Sequence, residues 1–485
     1  MHNKMEAKFN LHLKALLDLL PENTSILEHF PVSSSEKLLS ETPVNEAPQL
    51  VVALSGGVDS VVLLHLLANF KKCHPTYSVI AHNVNHGLSE NADHWGMFCA
   101  ELCQKLKVPF ISSTVKIEKK SRSSLEALAR DARYQCFKDH MLGNDVILTG
   151  HHQDDQLETL LLALKRGSGS TGLQGIRSTQ PFFNGHLVRP LLIFSRQALT
   201  DYAEFYQLQW IEDESNQDID FDRNFIRHQI SPLLTQRWPA MAQSVSRTAL
   251  LCQDQQSLLD EIAQQDLQEC LLNKYLLKEG KGLINRSSYQ ALDIALLSVY
   301  SNVRRNNIIR FWLKSNGLQY PSSKQLTILW QEVALADADK QPKLQLESNT
   351  ICRYQEALYI VPIPSIKTLK EPLTWSGESF LWLDKDRLGV DFSQVDPAVA
   401  KQHQIQCCLR QHLDAKLTCL PEGRNKARSI KKLLHEYQVP PWLRDQVVFI
   451  LVDNQLIEAV GLWRCQPNAS TVSNIPVMDL SLYSR

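Results

Sequence analysis

Six residues, Ser55-Gly56-Gly57-Val58-Asp59-Ser60, separate the apolar run Leu50–Leu54 from a segment that is apolar over much of a helical circumference, with Val61, Val62, Leu63, Leu64, Leu66 and Leu67. A short, unbroken apolar run has the composition of a strand buried on both faces, as in a parallel sheet. Strand, glycine pair and helix start together build an anion site. Free backbone N–H groups and the positive helix end converge, and glycine lets a phosphate approach without a Cβ in the way. The loop has no lysine, so it is not the GxxxxGK[ST] loop. It carries Asp59 instead, and a carboxylate beside phosphates requires a divalent cation between them, which implies Mg²⁺ at Asp59. The hydroxyls of Ser55 and Ser60 complete the cradle.

At 485 residues the chain is too long for one core, and about three domains are expected. A formal net charge of −1 excludes a globally basic nucleic-acid binder, so any such surface must be a local patch. The eleven cysteines lack metal or framework spacing and read as reduced thiols of a cytosolic protein. The start, MHNKMEAKFN, has no signal-peptide core, and no stretch approaches the roughly 18 apolar residues of a membrane span. A soluble, cytoplasmic protein without a membrane partner is expected.

Residues 1–47 read as an extension, a weakly amphipathic helix over Leu11–Leu20 and then a Ser/Pro/Glu-rich link. From residue 48 to 235 strands (Leu50–Leu54, Tyr77–Asn83, Pro109–Val115, Asp145–Thr149) alternate with helices (Ser60–Phe70, Ala92–Lys105, Ser124–His140, Asp154–Lys165). The alternation predicts an α/β, doubly wound parallel-sheet domain with ligands at the strands' C-terminal ends.

Polar residues gather at those ends. His82 opens a loop reaching His86 and Gly87 that suits a ribose or adenine. The His82–His86 spacing lacks the glutamate of a helical zinc motif and falls on a strand-to-loop segment. Arg130 and Arg133 in LEALARDARY share a helix face and have the donor fork for a phosphate or a carboxylate. In HHQDDQLET, His151, Asp154, Asp155 and Glu158 crowd a helix start. Asp155 and Glu158, three apart, project on one face and suit a cationic amine whose proton one of them could take. Gly167–Gly172 matches GxGxxG but follows a helix, which fails the dinucleotide context, so it reads as a flexible loop or lid. Arg223 and Arg227 form an i,i+4 pair in RNFIR.

Taken in order, SGGVDS, the His82–Gly87 loop, LEALARDARY, HHQDDQLET, the glycine loop, RPLL (189–192) and EDESNQD…RNFIR resemble the tRNA(Ile)-lysidine synthetase family of N-type ATP pyrophosphatases. The likeness is strong over about 48–235 and again in the tail, at SIKKLL (429–434), VPPWLRD (439–445) and AVGLW (459–463). It implies that ATP adenylates the wobble cytidine at ring position 2 in the isoleucine tRNA with anticodon CAU. The amine of free L-lysine then displaces AMP. The resemblance makes Ser55–Ser60 and His82 ATP-binding, with Asp59 as Mg²⁺ ligand. It makes Asp59, Asp155 and Glu158 catalytic candidates. Arg130, Arg133, His151, Asp154, Asp155, Glu158, Arg223 and Arg227 become candidates for lysine or phosphate. Which carboxylate acts as base, and the oligomeric state, stay open.

Residues 240–335 read as a helical tRNA-binding domain. Between Ile294 and Gln331 lie Arg304, Arg305, Arg310, Lys314 and Lys324 without an acid. Residues 336–369 read as a hairpin and linker. Residues 370–485 read as a small α+β tRNA-binding domain with a second basic run, Arg424, Lys426, Arg428, Lys431 and Lys432. The nearest rival reading is a tRNA thiolase built on the same loop, which would be expected to carry paired CxxC motifs or a catalytic cysteine; no CxxC occurs.

Overall fold

The computed structural model describes residues 2–20, 48–87, 91–115, 125–141, 144–272, 291–337, 340, 342–346, 349–362, 369, 371–384, 388–466 and 481–484. Two compact units emerge, Met1–Leu258 and Leu259–Arg485.

The first unit runs α1 (His2–Asp18), β1 (Leu50–Ala53), α2 (Val58–Cys73), β2 (Val79–Asn85), α3 (Ala92–Leu106), β3 (Phe110–Thr114), α4 (Leu125–His140), β4 (Val146–Leu148) and α5 (Gln153–Lys165). It continues through α6 (Ser170–Leu173), β5 (Thr179–Phe182), β6 (Gly185–Val188), α7 (Arg196–Phe205), α8 (Asp222–Phe225), a π-helical turn at Ile226–Ile230, α9 (Ser231–Arg237) and the start of α10 (Met241–Cys270), whose residues from Leu259 onward belong to the second unit. The strand order is β3-β2-β1-β4-β6-β5, parallel except for β5 at the edge. The expected doubly wound sheet is therefore present, with an antiparallel β5–β6 hairpin that the sequence reading missed.

Alternation along β1 explains why helices cover both faces. Leu50 and Val52 join a core with α1, α2, α3 and α7, whereas Val51 joins Phe137 of α4, Ile147 and Leu187 on the other side. β1 pairs with both β2 and β4, so the chain's order reverses there, and the crevice beyond its C-terminal end is where such sheets bind ligands. The N-terminal helix begins earlier than expected and buries Phe9 and Leu13 completely in the first core. Glu6 on α1 accepts from Tyr202 Oη at 2.8 Å, and Tyr202 Oη lies 2.9 Å from His65 Nδ1.

In the second unit, helices at Ile294–Val299, Asn302–Ser315 and Ser323–Ile328 pack on a five-stranded antiparallel sheet. Its strands run in the order 271–272, 291–293, 357–362, 349–354, 343–346. The expected hairpin is thus two central strands plus an edge. Ile351 and Leu358 share a core with Trp312, so this hairpin belongs to the helices' own core and does more than connect. A second five-stranded sheet (373–374, 405–409, 448–452, 455–459, 463–464) packs against the helix Ile430–Glu436. One cysteine expectation is corrected here: Cys419 and Cys465 form a disulfide, their Cα atoms 5.8 Å apart. The antiparallel bridge between Pro421 and Cys465 brings the two segments together, which sequence spacing could not reveal. The other nine cysteines are free. No helix among the described residues is long and apolar enough to cross a membrane.

Candidate active site

The loop after β1 is shaped by its glycines. Gly56 has φ +90°, and a Cβ there would lie 2.8 Å from Ile211 Cδ1. Ser60 Oγ accepts from Gly56 N at 3.1 Å and donates to the Gly57 carbonyl at 2.9 Å, while Ser55 Oγ lies 3.2 Å away. Ser60 therefore braces the loop from the first turn of α2 and leaves the remaining N–H groups of that turn to a ligand. Asp59 Oδ1 is buried without a hydrogen-bond partner. A hard oxygen left unsatisfied beside an anion loop fits a hard divalent cation.

The β4–α5 loop packs directly on Asp59. A Cβ on Gly150 would lie 3.0 Å from the Asp59 carbonyl carbon and 3.1 Å from its oxygen, so only glycine lets the two loops approach this closely. His152, buried at the N-cap of α5, stands 3.6 Å from Asp59 Oδ2 and 3.5 Å from Asp155 Oδ2. Burial disfavours its charged form, but Asp155, Asp59 and Asp154 outweigh burial and raise its pKa. The sequence reading passed over His152. Its signal was the position just before Asp154 and Asp155, where a cap can face both loops.

Asp155 and Glu158 lie together on α5 as expected, and both are buried. Arg223 and Arg227 meet them there. Arg223 Nε donates to Glu158 Oε2 at 2.7 Å and its Nη2 to Asp155 Oδ1 at 3.0 Å. Arg227 Nε donates to Glu158 Oε1 at 2.6 Å, and its Nη2 reaches Glu158 Oε2 at 2.9 Å and Asp155 Oδ1 at 3.3 Å. Burial alone would raise the Asp155 pKa. His152 and Arg223, with a backbone N–H from His152, reverse this and push it down to about 2. His151, held 2.8 Å from Thr149 Oγ1, is neutral because burial pushes its pKa down to about 3.

Two adjoining cavities share Ser55, Ala53, Arg133 and Phe137. One opens over Asp59, Ser60, Arg130, Thr149, His151 and Asp155. The other is lined by His82, Asn83, His86, Trp95 and Asp213. Arg130 and Arg133 thus border the phosphate loop, and Arg130 lies over the Tyr134 ring at 5.2 Å. Trp95, which the sequence reading did not select, offers an aromatic surface in the second cavity. Asn83 donates to the Leu54 carbonyl at 2.8 Å and fixes the strand ends. His82 lines the cavity, but its Nε2 is engaged by Ser113 Oγ at 2.9 Å. Asp154 accepts from the Arg196 backbone N–H at 2.8 Å, which ties α5 to α7. The glycine loop holds α6, and Thr171 Oγ1 donates to Gln256 Oε1 on α10 at 3.0 Å.

The basic runs divide sharply. Arg304 makes a bidentate pair with Asp266 at 2.6 and 2.7 Å, and Lys314 pairs with Asp260 at 2.6 Å. Arg305 is buried, 3.8 Å over the Trp330 ring, and offers almost no surface to a phosphate. Arg310 is half-buried. Arg424 and Arg428 lie 2.6 and 3.5 Å from Glu436, whereas Lys426, Lys431 and Lys432 are exposed. The acids that neutralise these runs come from outside them.

Comparison with known proteins follows the same lines. A family model described as a PP-loop domain matches residues 30–234. A TilS substrate binding domain matches residues 292–359, and a TilS substrate C-terminal domain matches 409–475. The chain is 41% identical over 429 residues to the tRNA(Ile)-lysidine synthase of Vibrio atlanticus, covering 86% of this chain and 92% of the relative. It is 39% identical over 439 residues to that of Proteus mirabilis, covering 88% and 94%. Among solved structures, the U34-tRNA thiolase NcsA from Methanococcus maripaludis aligns with a TM-score of 0.39 and 17% identity over 51% of this chain and 78% of that one.

Proposed function

The chain belongs to the tRNA(Ile)-lysidine synthase family, and we propose on that premise how its residues divide the reaction. The activity is ATP-dependent ligation on isoleucine tRNA. In our reading the acceptor is the wobble cytidine of the CAU anticodon, the nucleophile is free L-lysine, and the compartment is the cytoplasm. The carrying observation is the placement of the Ser55–Ser60 loop against the acid and arginine cluster of Asp155, Glu158, Arg223 and Arg227 across Gly150.

The loop's N–H groups and the start of α2 hold the departing pyrophosphate. A Mg²⁺ ion held by Asp59 would neutralise phosphate charge there. Arg130 and Arg133, bordering the loop, balance charge on the α-phosphate. Adenylating a pyrimidine carbonyl oxygen turns a poor leaving group into AMP. The amine must then arrive unprotonated at ring carbon 2.

Lysine's ammonium, with a reference pKa of about 10.4, needs carboxylates to seat it. Asp155 and Glu158 are buried and supply that field. Their present partners are two guanidiniums, so the cluster is balanced before lysine enters. A guanidinium that turns to the α-phosphate or to the lysine carboxylate releases carboxylate oxygens to the ammonium. Asp155, held at about 2, is a weak base and acts by holding charge, leaving Glu158 or solvent to take the proton.

The deciding experiment supplies labelled lysine, ATP and Mg²⁺ to an unmodified CAU-anticodon isoleucine tRNA transcript and follows pyrophosphate in parallel. Lysine-dependent label on the wobble base is expected. Pyrophosphate release without label would leave the adenylating loop in place and move the nucleophile elsewhere.

A further inference from the structure

His82 does not meet His86, its partner in the sequence spacing; its ring faces α4. Its Nε2 lies 3.9 Å from Cys136 Sγ, and its ring centroid lies 4.8 Å from that of His140. We propose that His82, Cys136 and His140 form a site for a borderline-soft divalent metal, Zn²⁺ in class, which fastens α4 to the middle of β2.

Three observations carry it. First, the ligand atoms converge: one from each residue, all within 4.8 Å of one another. Cys136 and His140 stand one turn apart on α4 and share a face, and His82 comes from the facing strand. In a tetrahedral zinc site with bonds of about 2.0 Å to nitrogen and 2.3 Å to sulfur, nitrogen and sulfur sit about 3.5 Å apart. The pair at 3.9 Å needs a shift of only a few tenths of an ångström. Second, the donor set is selective. One thiolate and two imidazoles favour zinc-like ions over the all-oxygen shell that Mg²⁺ requires. Third, an outer partner is in place. His140 Nδ1 donates to the Cys136 carbonyl at 2.8 Å, which fixes the tautomer and leaves Nε2 to accept a metal. Ser113 Oγ hydrogen-bonds His82 Nε2 at 2.9 Å, a contact the metal would replace.

Phe137 covers the inner side, its ring 5.2 Å from that of His82, while His140 is exposed and marks the entry path. On binding, the Cys136 thiol gives its proton to solvent and the sulfur lone pair forms the metal bond. The helix so fastened carries Arg130 and Arg133, which border the phosphate loop. The site is therefore a positioning device distinct from Asp59, and it stands whatever the ligation chemistry proves to be.

Cobalt is the probe, because a Co²⁺–thiolate bond absorbs by charge transfer. Full-length protein stripped with chelator should bind one equivalent of Co²⁺ with that absorption, and Zn²⁺ should displace it. Cys136→Ser should abolish the band. His140→Gln, an exposed change that removes a direct ligand, should weaken the affinity by at least about a hundredfold, the upper figure for losing a mere outer-shell partner. Absence of the band in the wild-type chain would overturn the site and leave a plain thiol–imidazole hydrogen bond. So would a band that survives in Cys136→Ser, or an unchanged affinity in folded His140→Gln.

Discussion

Arg227 grips Glu158 with two nitrogens, Nε at 2.6 Å from Oε1 and Nη2 at 2.9 Å from Oε2, although the residues stand 69 positions apart. The carboxylate side chain is only 2% exposed, whereas the guanidinium side chain is 21% exposed. A buried acid is therefore held by a base that can still reach solvent or a ligand. Fork-on-carboxylate geometry is the strong form of such a pair, and stripping one partner from it leaves an uncompensated buried charge.

That cluster makes acid stability depend on Asp155. Its folded pKa of about 2 lies below the ordinary value of 3.8, so the stabilisation is present above pH 3.8 and is lost as pH falls towards 2. The difference corresponds to about 2 kcal/mol. Urea titrations followed by amide exchange in α5, at steps between pH 4 and 2, should show this loss in the wild-type chain. Asp155→Asn should remove that part of the pH dependence. An identical slope in both proteins would remove Asp155 from the acid transition.

The same residue separates the two half-reactions. Asp155→Ala should spare pyrophosphate release more than lysine transfer, because its Oδ1 is gripped by Arg223 and Arg227 of the proposed amine seat. Pyrophosphate release and labelled-lysine incorporation measured on one preparation give the ratio. Equal loss of both steps would contradict the assignment of the amine seat.

Asp59→Ala should act on the first step. Losing the carboxylate whose Oδ1 is buried and unpartnered should cut pyrophosphate release by at least about a hundredfold. Raised Mg²⁺ should recover little of it. Normal release by the variant would remove the metal role of Asp59.

Much of this site could be read along the chain, since its parts are local. The strand–glycine–helix unit, the acid pair three residues apart on α5 and the parallel sheet all follow from spacing within about twenty residues. What spacing could not supply is meeting across the chain. Arg223 and Glu158 are 65 positions apart, Tyr202 and Glu6 are 196 apart, and Cys419 and Cys465 are 46 apart. Each pair is joined by topology, and local pattern carries no trace of it. The arginines were visible as an i,i+4 pair, and the acids were visible as a face; their meeting was not. Arg305 misled for the related reason that charge in a run looks solvated, while Trp330 covers it.

Gly150→Ala tests whether the two loops are coupled through direct packing. The added methyl would meet the Asp59 backbone at 3.0 to 3.1 Å, so one loop must give by a few tenths of an ångström. Pyrophosphate release should fall about ten- to a hundredfold, because misplacing a catalytic group by less than an ångström is costly. The Tm should barely move. Unchanged release with a lowered Tm would make Gly150 a packing residue only.

The basic residues should separate into those that bind tRNA and those that hold the fold. Arg305 lies buried on Trp330, and Arg304 is paired to Asp266, so neither offers a fully open charge. Lys426, Lys431 and Lys432 are exposed, on the loop and the first turn of the helix Ile430–Glu436. Removing a lysine that neutralises a phosphate weakens binding and lowers the slope of log affinity against log salt by roughly 0.7 to 0.9. The double variant Lys431→Ala/Lys432→Ala should therefore bind the isoleucine tRNA more weakly, with a shallower salt dependence and an unchanged Tm. Arg305→Ala should do the reverse, lowering the Tm because the Trp330 ring loses its cover, and leaving the salt slope as it was. Filter binding across a salt series, with thermal unfolding of each variant alongside, decides between them. A salt slope that falls in Arg305→Ala and holds in the lysine variant would place the tRNA against the helical segment instead of the C-terminal sheet.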